Sequence, residues 1–106
     1  MARTADRDVE GLDIIAARTL ISAGDSGEQV LIELARPRPT GHDTENECLY
    51  RITTSAETTT RCAFGVDAFQ SLQLALVIIG AEVTRIEKTS GIVLQFNDGD
   101  TGFSRS

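Results

Sequence analysis

The run His42-Asp43-Thr44-Glu45-Asn46-Glu47-Cys48 gathers the sole histidine of the chain, three carboxylates and a thiol in one short stretch. All are metal-ligand types, so a small-ligand or metal-binding domain using His42, Asp43, Glu45, Glu47 and Cys48 is one candidate reading. Ligand types need ligand spacing, however, and this spacing matches no established zinc or calcium pattern. A solvated acidic loop is the plainer reading. Asn97-Asp98-Gly99-Asp100 likewise resembles a fragment of a calcium loop without its distal glutamate and reads as a turn.

Other chemistry finds little footing. His42 has no Gly-flanked serine partner, so a hydrolytic triad is not expected. Neither G-x-G-x-x-G nor G-x-x-x-x-G-K occurs, so no cofactor is expected. Arg36, Arg38 and Arg51 could grip a carboxylate or phosphate if the strands align them, but they read equally as solvated arginines that protect a sheet edge. Cys48 and Cys62 read as structural thiols. If their strands pair as a hairpin, alternation is expected to place both on its inner face, where a bridge is geometrically conceivable.

The chain has 106 residues, 41% of them hydrophobic, with no Trp and 5% aromatics, so one domain with an aliphatic core is expected. Sixteen acidic against ten basic residues give a net charge of -6. That balance repels phosphate backbones and anionic membrane surfaces, and neither nucleic-acid nor membrane binding is expected. The longest apolar run, Leu74 to Ile79, falls well short of the ~20 residues of a bilayer span, and a cytoplasmic protein is expected.

The elements that would position these residues follow from periodicity and turn chemistry. Residues 1–11 read as a flexible lead-in, 12–97 as a single domain and 98–106 as a flexible tail. Leu12 to Ile21 and Glu28 to Arg36 form a first hairpin around Gly24-Asp25-Ser26-Gly27, with Val30, Ile32 and Leu34 inward. Pro37 and Pro39 end the second strand, and Thr40 to Glu47 follows as a loop. Cys48, Tyr50 and Ile52 mark one face of a third strand, and Cys62, Phe64 and Val66 one face of a fourth.

Asp67 with Gln70 forms a capping box that opens a helix, expected to end between Gly80 and Lys88. Its inward stripe is expected to be Phe69, Leu72, Leu76, Ile79 and Val83. Leu74, Val77, Ile78 and Ala81 stand opposite and are either covered internally or free for a partner. Ile92 to Phe96 is a final strand. The order β-β-β-β-α-β predicts a two-layer α+β fold: an antiparallel sheet of about five strands with one helix packed on one face.

Ala17-Arg18-Thr19-Leu20, Ala35-Arg36-Pro37, Tyr50-Arg51-Ile52 and Gly65-Val66-Asp67-Ala68-Phe69-Gln70-Ser71-Leu72 together resemble the small, uncharacterised bacterial proteins of the DUF6968-like group, over most of Leu12 to Phe96. The shared motifs are strand ends, a loop proline and the capped helix. The resemblance implies a bacterial origin and the fold, and it implies no activity.

With no catalytic pattern, the leading expectation is a non-enzymatic acidic interaction protein, for instance an inhibitor or an immunity or anti-defence factor, that binds a protein partner with a basic surface. Asp43, Glu45, Glu47, Leu74 and Ile78 are the candidate interface. A self-associating subunit, dimerising through Leu74 and Ile78, is the third reading.

Overall fold

A computed structural model of the chain describes residues 12–24, 27–96 and 99–103. The expected lead-in, the Asp25-Ser26 and Asn97-Asp98 parts of the two turns, and the last three residues lie outside this set.

The elements in chain order are β1 (Ile14–Ser22), β2 (Gln29–Ala35), β3 (Arg38–Pro39), β4 (Asn46–Thr53), β5 (Thr58–Gly65), α1 (Ala68–Ser90) and β6 (Leu94–Gln95). The strands form one antiparallel sheet, and α1 packs against β4 and β5. The fold is α+β, as expected, with six strands rather than five among the described residues. The additional strand is β3. Pro39 was expected to end pairing, but at a strand end its missing N–H costs no interior ladder bond, and it stands opposite Asn46. β4 therefore has β5 along one side and β2 followed by β3 along the other. Its start at Asn46 shortens the expected loop. β6 is shorter than the expected strand, and Phe96 and Gly99 close a separate bridge beyond it.

Direct cross-strand partners share a face of the sheet, so the register decides what points at α1. Leu20, Val30, Ile32, Leu34, Cys48, Tyr50, Ile52 and Ala63 meet Ala75, Ile79 and Val83 of the helix and Leu94 in one buried cluster. Cys48 stands opposite Ala63, and Cys62 stands opposite Leu49. The two thiols therefore lie on opposite faces of the sheet, contrary to the expectation of a shared inner face. A one-residue change of register moves a whole strand's side chains to the other face.

The capping box forms as read: the Gln70 backbone N–H donates to Asp67 Oδ1 at 2.7 Å, and the Val66 N–H donates to Gln70 Oε1 at 2.8 Å. The helix, however, continues through Gly80 to Ser90. It ends at Gly91, whose left-handed backbone (φ 68°) and N–H to the Glu87 carbonyl complete the C-cap. A helical glycine costs roughly 1 kcal/mol relative to alanine, which the burial of Ile79 and Val83 on either side outweighs.

The inward face also differs from the expected stripe. Phe69 is 67% exposed and Leu76 39%, whereas Ser71, Ala75, Ile79 and Val83 are buried. The line of contact runs between the two apolar stripes because small residues sit on it. Ser71 and Ala75 let the helix come so close that a Cβ on Gly65 would collide with the Ser71 backbone nitrogen. With both flanks apolar, α1 is long and apolar enough by length and composition to cross a membrane, yet its inner face packs on the sheet.

Candidate functional site

The acidic loop does not bring a metal site together. Cys48 is fully buried on the helix side of β4, with its thiol 3.4 Å from the Ala35 carbonyl oxygen, while His42 and Asp43 are exposed. Among the described residues no group of three His, Cys, Asp or Glu side chains is placed to hold a metal ion.

The three carboxylates have separate fates. Glu47 begins β4 and accepts from Arg38 Nε of β3 at 2.7 Å, so that charge is offset locally. Glu45 Oε1 accepts from the Thr40 hydroxyl at 2.9 Å and is half-buried. Asp43 stands out at the tip of a turn closed by the Glu45 N–H to the His42 carbonyl at 2.9 Å, with a left-handed backbone of φ 52°. Aspartate tolerates that conformation better than most residues.

The fold sets this loop beside exposed apolar side chains. β4 and β5 pair so that Asn46 and Glu47 lie opposite Gly65 and Phe64, and an open depression of about 480 Å³ results, lined by Asp43, Glu45, Phe64, Val66 and Gln70 among others. Phe64 is 50% exposed and Val66 64%, and Phe69 stands two residues past the helix N-cap at the same end of the domain. An acidic turn thus adjoins the exposed apolar side chains of Phe64 and Val66. The patch escaped the sequence reading because alternation gave Phe64 and Val66 to a covered face, just as helical periodicity gave the exposed Phe69 to the core.

The other two candidate interface residues separate. Leu74 is 41% exposed, while Ile78 is half-buried and packs against the core cluster, so the pair does not form a free face. Of the arginines read as a possible grip, Arg36 pairs with Asp13 at 2.7 Å, Arg38 with Glu47 at 2.7 Å and Arg51 with Glu33 at 2.6 Å. The Arg51 pair is the least exposed, with both side chains at 17%, and its hydrogen bond to Glu33 raises the guanidinium's already high pKa.

Fold and surface together define a small α+β domain, with one helix among the described residues and an acidic and apolar end. The chain belongs to the family described as a domain of unknown function, DUF6968, whose model matches residues 16–105. No curated protein and no solved structure matches it.

Proposed function

We propose that this domain is a non-enzymatic protein-binding module, and that its docking surface is the end where the loop around Asp43 meets Phe64 and Val66. The observation that carries the reading is that juxtaposition. Large apolar side chains half or more exposed at one end of a small domain are what interfaces use, and aromatic residues are enriched at their centres. The carboxylates of Asp43 and Glu45 rim the patch, and the net charge is -6. The partner is accordingly a protein with a basic rim around an apolar pocket. A second copy of this chain would set the same acidic rim against itself. An inhibitor or immunity factor that covers a basic surface of its target fits this charge arrangement.

The test is affinity capture from the source organism, followed by association kinetics with the captured protein. Asp43→Lys with Glu45→Lys should slow association several-fold at low salt, and the difference should shrink above ~0.15 M salt, where the Debye length is ~8 Å. An association rate unchanged by the double reversal removes the loop from the interface.

A further inference from the structure

A second concavity lies at the other end of the helix, between the later turns of α1 and the β4–β5 hairpin. It encloses about 440 Å³, within the ~300 to 1,000 Å³ range of small-molecule sites. Tyr50 forms part of its floor. The residue is only 2% exposed, yet its hydroxyl has no hydrogen-bond partner among the described residues. Nor is any side-chain oxygen or nitrogen among the described residues both fully enclosed and unsatisfied, so that hydroxyl opens onto the cleft. A tyrosine buried to this degree normally spends its O–H on a partner.

Directly across the ladder from Tyr50, on the same face, stands Arg61. It forms no ion pair among the described residues, unlike Arg85 on the opposite wall, whose Nη2 lies 2.9 Å from Glu82 Oε1. Burial first, and Glu82 second, hold the Tyr50 phenol above its usual pKa against the opposing charge of Arg61. The cleft therefore offers a fork of guanidinium donors and a phenolic O–H side by side, with the apolar flanks of Ile52, Ile86 and Ile92 around them.

We propose that this cleft binds a small monocarboxylate with an apolar body, its carboxylate held between the Arg61 guanidinium and the Tyr50 hydroxyl. Guanidinium and carboxylate match in geometry, and a charge-assisted pair beside a buried donor is strong. Glu28, Glu57 and Glu82 line the same cleft against two arginines, which disfavours a phosphate ester or other polyanion. The apolar walls favour an aromatic or branched body over acetate.

Titration of the ¹⁵N-labelled protein with phenylacetate, phenylacetamide and phenyl phosphate tests the proposal. Phenylacetate should shift amides of β4, β5 and the second half of α1, and bind at least tenfold more tightly than the other two. Arg61→Gln, at an exposed position, and Tyr50→Phe, which keeps the ring, should each weaken phenylacetate roughly tenfold to a hundredfold. No shifts with phenylacetate, equal binding of phenylacetamide, or undiminished binding by Arg61→Gln overturns the proposal. A peptide ending in phenylalanine presents the same carboxylate on a chain end. If it binds more tightly than phenylacetate, the cleft takes a polypeptide terminus and the small-molecule assignment fails.

Discussion

Arg18 and Thr101, 83 residues apart in the chain, are joined by a hydrogen bond of 2.9 Å from the Arg18 Nη1 to the Thr101 carbonyl. The same guanidinium lies over the Phe96 ring at 4.2 Å and the Phe103 ring at 5.7 Å. Thr101 is fully buried, and Phe103 packs against the core cluster, although both belong to the stretch read from sequence as a flexible tail. Few apolar residues are needed to hold a segment when one strand cation satisfies its carbonyl and stacks on its ring.

Arg18→Met keeps much of the aliphatic stem but leaves the Thr101 carbonyl without its donor. The expected cost is about 1 to 3 kcal/mol in urea denaturation. A midpoint equal to wild type would mean that the C-terminal segment holds without this contact.

Asp67→Ala should cost about 1 kcal/mol, because the Gln70 N–H loses its acceptor. Gln70→Ala should also destabilise, by freeing the Val66 N–H. The double variant should fall short of the sum of the two, since both residues serve one cap. Strict additivity in denaturant midpoints would show two independent contacts.

Ile79 and Leu76 separate the observed helix face from the one periodicity suggests. Ile79→Ala, at a fully buried site, should cost about 2 to 5 kcal/mol. Leu76→Ala, at a 39% exposed site, should cost less than half as much. The reverse order in thermal or chemical denaturation would refute the described packing.

Cys48 supplies a pH test. Burial, and secondarily the nearby Cys62, push its thiol from the ordinary 9.0 up to about 11. The folded state thus holds this proton more tightly than the unfolded state. The associated stability is complete below pH 9 and disappears as pH rises to about 11, a loss on the order of 2 to 3 kcal/mol. The Tyr50 phenol is shifted in the same direction and adds to the alkaline loss. Cys48→Ala should flatten the fall in urea midpoint between pH 9 and 11, and an equally steep fall would assign it elsewhere.

What could be read from sequence was local. Asp67 with Gln70 and the inward Val30, Ile32 and Leu34 each rest on local spacing, which determines geometry, whereas the helix runs past the Gly80 to Lys88 end expected for it. The helix's inner line was hidden because a periodicity argument weights large side chains, and the contact is centred on Ser71 and Ala75. The faces of Cys48 and Cys62 depend on a register set jointly by two strands, so neither strand's own pattern contains it. The Phe64 and Val66 patch is defined by what fails to cover it, which only the assembled fold shows. The Tyr50 and Arg61 pair depends on the same β4–β5 register.

The protein-binding proposal rests on Phe64 and Val66 being exposed for a partner rather than for the fold. The deciding measurement is the affinity of the captured partner for the wild type and for the Phe64→Ser, Val66→Ser double variant, with each denaturation midpoint recorded alongside. These side chains are 50% and 64% exposed, so the double variant should unfold within about 1 kcal/mol of wild type. Its affinity for the partner should fall by roughly thirtyfold or more, the loss expected when central apolar contacts are removed. An unchanged Kd with a folded variant would contradict the proposal, and a large loss of stability would show that the two side chains serve the core.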